Sequence, residues 1–269
     1  MPRYISSQSY RGCQLSDAFK SRIRAEDEWL PRHYIVSVPT ATSRRTAMIR
    51  KTSRLGLDYK LVDAYVPTNP EIVNHYGRCR NLKTGKWGYS SPMGGVVACM
   101  ASHFKALKEF IESGDELGVI IEDDILFRID YKERLGEIIH KYIDTATFPN
   151  LVTFIGFNFP DDELTGNGKI NDAWCTFGYL ITRTYAQHVI ATYDRPHYQL
   201  DIIIKTDRIP TSLDKFGASS ELIVMKSGGL VCNFPLVIED RTNHTSIIGN
   251  KAIELKQYGY HNFIPDVPD

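Results

Sequence analysis

Gly118-Val119-Ile120-Ile121-Glu122-Asp123-Asp124-Ile125-Leu126-Phe127 is the stretch from which the fold is read. A glycine and three β-branched residues run straight into three carboxylates. A continuous run of this kind reads as a strand buried on both faces. Such a strand does not tolerate unpaired charge, so the acids fall at or just past its carboxyl end. In open α/β sheets ligands bind at that edge. Side chains two apart in extended chain share a face, so Glu122 and Asp124 are expected on one side and Asp123 on the other. Two carboxylates converging on one point repel unless a cation sits between them, and oxygen ligands suit Mg2+ or Mn2+. The alternative is a solvated acidic turn, for which three acids directly after a buried strand leave little room.

Upstream of this stretch, Gly94–Glu112 reads as a helix with Val97, Met100, Ala101, Phe104, Leu107 and Ile111 on one face. Ser102 and His103 lie inside it, and a lone helix histidine is more often packed or capping than a ligand. Tyr34–Val38 reads as the first core strand, ended by Pro39. Thr40–Ser43 is a polar turn leading to a helix over Arg44–Leu55, which Gly56 closes. Tyr59–Val66 reads as the second strand. This order outlines a mononucleotide-binding half-domain, but the loop lacks GxGxxG, so dinucleotide binding is not supported. Arg44 and Arg45 either neutralise a diphosphate or are plain solvent-facing helix residues. Residues 67–92, rich in Pro and Gly, read as a long surface loop.

Downstream, helices are expected over Tyr131–Ile143 and Thr184–Tyr193, and strands over Leu151–Phe157, Phe177–Thr182 and Leu222–Met225. Val231–Ile238, containing Pro235, is a last extended segment. At the front of the chain, Ser16 caps a helix expected over about Asp17–Leu30. The division is an N-terminal helical extension over 1–31, one α/β domain over 32–256, and a tail over 257–269.

Lys plus Arg and Asp plus Glu number 32 each in 269 residues, so the formal net charge is zero, which argues against a whole-surface nucleic-acid binder. The five cysteines show neither CxxC nor His/Cys metal spacing, so a disulfide framework and a zinc site are not expected. Reduced thiols and the lack of an apolar signal region or transmembrane run lead us to expect a cytoplasmic protein, in a bacterium or, if virus-encoded, in a host cell.

These parts together resemble glycosyltransferase family 25, which includes lipooligosaccharide and collagen galactosyltransferases. The likeness is carried by the Ile35–Pro39 strand with Thr42-Ser43-Arg44-Arg45 and the helix end Arg54-Leu55-Gly56-Leu57. It continues in Gly95-Val96-Val97-Ala98-Cys99-Met100-Ala101-Ser102-His103 and in Val119-Ile120-Ile121-Glu122-Asp123-Asp124. Gly178-Tyr179-Leu180-Ile181-Thr182-Arg183, Asp201, and Pro235 before the polar segment ending Ser246-Ile247 complete it. It covers about residues 34–248; Pro39 and the Met1–Pro31 extension depart from the family pattern.

The resemblance implies a GT-A-type, Rossmann-like domain with a mixed, mostly parallel sheet flanked by helices. It implies a UDP-sugar donor, Mn2+ or Mg2+ at the acidic motif, and inversion at the sugar carbon. Galactose, glucose or a pentose such as xylose would pass to a glycan or glycoprotein hydroxyl. The donor would lie against Val38, Pro39, Thr40, Arg44, Asp63, Ala64, Tyr65, Ser102, Glu122 and Asp123. The metal would be held by Glu122, Asp124 and His244, the last of which also reads as a surface histidine. Inversion needs one base on the acceptor hydroxyl. Asp201 is that base or a helix cap, with Asp161, Asp162, Glu239 and Asp240 as the other carboxylates in reach. Two other readings remain: a glycoside hydrolase using paired carboxylates, and a non-catalytic glycan-binding protein on a transferase fold.

Overall fold

The computed structural model describes residues 15–26, 28–73, 91–142, 153–158, 174–192, 222–224, 230–232 and 236–240. The first strand, β1 (His33–Ser37), is buried at every position. It pairs in parallel with β2 (Tyr59–Asp63) on one side and β3 (Leu117–Glu122) on the other. Parallel neighbours require a crossover. The two crossovers carry α2 (Thr42–Arg54) and α3 (Ser91–Ser113). Gly56, at φ 62°, takes the left-handed conformation just past α2 that its sequence position called for.

The sheet continues through β6 (Trp174–Thr182), antiparallel to β3, and β5 (Thr153–Asn158), antiparallel to β6. Beyond them lie β8 (Leu230–Cys232), parallel to β5, and β7 (Leu222–Val224) at the edge. The order is β2-β1-β3-β6-β5-β8-β7. Traced through these pairings, β2, β1, β3, β5 and β8 run one way, and β6 and β7 run against them. The expected α/β, Rossmann-like architecture with a mixed, mostly parallel sheet is therefore present. The helices α4 (Tyr131–Tyr142) and α5 (Arg183–Thr192), with α1 (Asp17–Ala25), join α2 and α3.

Ser16 caps α1 as expected, its Oγ accepting the Phe19 N–H at 3.2 Å. The helix stops at Ala25 rather than near Leu30, and Trp29 turns back to meet Phe19 edge-on at 5.2 Å. Ile23 is buried in the same apolar cluster as Tyr34, Ile35, Val119, Ile120 and Phe110.

Two short strands depart from the expected plan. Ile125–Phe127 forms β4 and pairs antiparallel with β9 (Val237–Glu239) in a separate two-stranded sheet. The expected single segment Val231–Ile238 is thus two strands serving two sheets, with Pro235, which has no N–H to give a ladder, between them. β9 crosses close over the main sheet where two glycines face each other, Gly156 on β5 and Gly178 on β6. A Cβ on either would lie 2.5 Å from Val237 Cγ2.

Candidate active site

The carboxyl ends of β1, β2 and β3 open into one cleft with the amino-terminal half of α3. Its walls include Val36, Val38, Arg44, Ala64, Tyr65, Cys99, Ser102, Glu122, Asp123 and Asp124. Of the residues expected at a donor site, it brings together Val38, Arg44, Ala64, Tyr65, Ser102, Glu122 and Asp123, and it adds the expected metal ligand Asp124.

β3 ends at Glu122, and Asp123 and Asp124 form the turn into β4. The two-residue alternation of extended chain stops there. Glu122 and Asp124 accordingly do not form a pair facing away from Asp123. Asp123 and Asp124 instead share one partner, Arg44 from the first turn of α2. Its Nη1 is 3.1 Å from Asp124 Oδ2 and its Nε 3.5 Å from Asp123 Oδ1. All three side chains are largely buried, at 12% exposure or less, so this ion pair is held in low dielectric. Ser37, the last residue of β1, donates its hydroxyl to Asp123 Oδ2 at 2.6 Å. Arg44 is thus no solvent-facing helix residue.

The turn is also held from behind. The Asp240 N–H donates to the Asp124 carbonyl at 2.6 Å. Lys51 Nζ donates to the Ile125 carbonyl at 3.0 Å and lies 3.6 Å from Asp240 Oδ2, both side chains being buried. Asp240 is therefore packed beneath the acidic turn and does not line the cleft.

Glu122 faces α3. Its Oε1 is 3.2 Å from His103 Nε2 and 4.0 Å from Cys99 Sγ. The other imidazole nitrogen, Nδ1, is 3.1 Å from the Tyr179 hydroxyl, and the two rings stack at 5.8 Å. Burial pushes the Tyr179 phenol well above its ordinary pKa, with the Cys99 and Glu122 charges adding to the effect, so it keeps its proton. His103, expected to pack or cap, does pack, but onto the acidic motif itself. The signal for it was the i, i+4 spacing of Cys99 and His103, which sets thiol and imidazole on one helix face.

The opposite wall is fixed by Ser102. Its Oγ accepts the Tyr65 N–H at 2.8 Å and donates to the Ala98 carbonyl at 2.6 Å. Lys105 Nζ lies 5.6 Å from the centre of the Tyr65 ring. Three expected donor contacts fall outside the cleft. Pro39 and Thr40 sit in an exposed turn after β1. The Asp63 side chain points outward to Arg45, 2.8 Å away. The physical reason is again strand alternation: β2 buries Val62 and turns Asp63 to solvent. Asp161, Asp162, Asp201 and His244 lie outside the described residues, as does the side chain of Glu239.

Comparison with known proteins gives a consistent result. The family described as Glycosyltransferase family 25 (LPS biosynthesis protein) matches residues 30–204, well over half of the chain. Procollagen galactosyltransferase 1-A of Xenopus laevis is 30% identical over 169 residues, covering 58% of this chain and 27% of that protein. Procollagen galactosyltransferase 2 of Homo sapiens is 23% identical over 171 residues, with the same coverage. The chain thus matches about a quarter of the length of these relatives.

Proposed function

The chain belongs to glycosyltransferase family 25, and we propose that it transfers a sugar, galactose first, from a UDP-sugar to a hydroxyl of a glycan or glycoprotein. The observation that carries this reading is the meeting of the acidic turn, Arg44 and the Tyr65–Ser102 wall in one cleft at the carboxyl edge of a Rossmann-like sheet. That edge is where such sheets take nucleotides. Galactose is favoured because the relatives named above are galactosyltransferases.

The cleft also fits a divalent cation. Its described lining sets three carboxylates, Glu122, Asp123 and Asp124, against one guanidinium, Arg44, leaving two formal negative charges. A nucleotide diphosphate is itself an anion and would be repelled from such a lining without a cation. The donors at the turn are oxygens, the set that suits Mn2+ or Mg2+. Glu122 and Asp124 would hold the ion, with His244 as a third ligand. When bound, the ion would neutralise charge on the departing diphosphate.

The chain's own residues do the rest. Val38, Ala64 and Tyr65 offer an apolar and aromatic wall to the base, and Ser102 fixes the Tyr65 backbone. Arg44 limits the repulsion between Asp123 and Asp124 and supplies the fixed positive charge nearest the diphosphate. Asp201 takes the proton of the acceptor hydroxyl as that oxygen attacks the sugar carbon from the side opposite the leaving group, which inverts it. Incubating the protein with UDP-galactose, Mn2+ and a glycan acceptor, then measuring released UDP, tests the reading. Release that stops in EDTA and returns with Mn2+ is the expected result. Sugar released from a glycan with no nucleotide present would point to a hydrolase instead.

A further inference from the structure

We propose that Cys99, His103 and Glu122 form a second cation site, for a thiophilic ion of the Zn2+ class. The site shares Glu122 with the donor cleft and disables that cleft when filled. The second half of this proposal rests on the donor reading given above; the first half does not.

Cys99 and His103 stand one turn apart on α3, and Glu122 is the last residue of β3. Their donor atoms all lie within 4.8 Å of one another. Metal–ligand bonds of about 2.0–2.3 Å at tetrahedral angles put donors about 3.3–3.7 Å apart. The His103–Glu122 separation, 3.2 Å, lies just below that range. The thiol, 4.0 Å from Glu122 Oε1, needs to move by only about 1 Å to close a tetrahedral site. Cys99 is half-buried on the cleft wall, so it has room to turn and an ion has a way in.

The imidazole is already oriented as a ligand. Metal-binding histidines carry an outer hydrogen bond on the second nitrogen, which fixes the ring. Here the Tyr179 hydroxyl fills that place on Nδ1, and Nε2 is left facing Glu122. One sulfur, one nitrogen and one oxygen donor favour Zn2+ over Mg2+ or Mn2+, and three protein ligands leave a fourth position toward the cleft. The proton balance is simple. The Cys99 thiol gives up one proton to solvent on binding. The imidazole binds through Nε2 as the tautomer with its proton on Nδ1, whose N–H the Tyr179 oxygen accepts.

The test uses the reduced full chain and Co2+ as a spectroscopic stand-in for Zn2+. One equivalent of Co2+ should produce a near-ultraviolet thiolate-to-cobalt band that Zn2+ abolishes. Cys99→Ser should lose the band and weaken Zn2+ binding by about 100-fold, and Tyr179→Phe should weaken it by about 10-fold. Circular dichroism checks that each variant is folded, with Cys99→Ala as the second thiol variant. No band in the wild type, or the same band and Zn2+ affinity in both Cys99 variants, overturns the site. For the coupling, Zn2+ should inhibit UDP release in the wild type along a one-site curve, and Cys99→Ser should shift that curve by about the same 100-fold. Inhibition unmoved by Cys99→Ser overturns the coupling. A protein with no transferase activity would refute the donor reading, and the Co2+ spectrum would still decide the site.

Discussion

His33 opens β1 with its side chain fully buried, and its Nε2 lies 2.7 Å from the Tyr131 hydroxyl. Burial pushes its pKa down from 6.5 to about 4, against weaker opposing effects of the Asp58 and Pro31 backbone and the Asp58 charge. The folded protein therefore keeps this histidine neutral where an unfolded chain would protonate it. Between pH 6.5 and about 4 the unfolded state binds more protons, so stability falls as pH falls through that window. The loss reaches about 3 kcal/mol at the acid end. Urea unfolding at pH 7.5 and pH 5 should show a lower midpoint at pH 5. His33→Gln, which keeps a hydrogen-bonding group for Tyr131, should flatten the difference. A variant with the wild-type pH slope would remove His33 as the cause.

Two carboxylates separate chemistry from binding at the same scale. A general base acts only as the acceptor attacks, so Asp201→Asn should lower turnover about a hundredfold or more and leave UDP affinity nearly intact. Asp124, a metal and donor contact in this account, should lose both on conversion to Asn. Steady-state rates beside UDP calorimetry for the two variants distinguish these patterns. Wild-type turnover in Asp201→Asn would make Asp201 a helix cap. Asp240 is then a poor substitute, being buried against Lys51, and the base must be sought at Asp161, Asp162 or Glu239.

At the scale of elements, β9 buttresses the acidic turn. It lies over the Gly156–Gly178 pair, and the residue that follows it, Asp240, bonds the Asp124 carbonyl. Gly178→Ala would drive a methyl to 2.5 Å from Val237 Cγ2. Overpacking of this kind costs about 1–3 kcal/mol. In a Val237→Ala background the same change should cost less, because the clashing methyl is gone. A double-mutant cycle by thermal or urea unfolding measures the difference. Equal cost in both backgrounds would mean that β9 does not press on the sheet at that point.

The same elements show what the sequence disclosed. β1, β3 and α3 are legible because the two strands carry continuous apolar runs and the helix a long stripe at helical spacing. β4 and β9, at three residues each, are too short to display either. The arginine shared by Asp123 and Asp124 was half legible. The sequence position of Arg44 allows either a diphosphate contact or a solvent-facing side chain, and its pairing spans 80 residues of sequence and depends on where the turn after β3 bends. That bend also undoes the expectation that Asp123 faces away from Glu122 and Asp124, since all three line one cleft. His103 is legible only as a packed or capping helix residue, since a single histidine in a helix carries no sign of the strand end it meets.

For the molecule as a whole, the sheet order explains why so many dispersed residues converge. Placing β1 between β2 and β3, all parallel, brings three strand ends to one edge, and α2 and α3 bring Arg44 and Ser102 to it. No helix among the described residues is long and apolar enough to cross a membrane. We propose that this edge is a cation-dependent nucleotide-sugar site. It is tested most directly by calorimetric titration of UDP into the wild type with Mn2+, into the wild type in EDTA, and into Asp124→Asn with Mn2+. We predict measurable binding in the first case and a marked loss of affinity in each of the others. Equal UDP affinity in all three, or binding of GDP with Mn2+ where UDP does not bind, would contradict it.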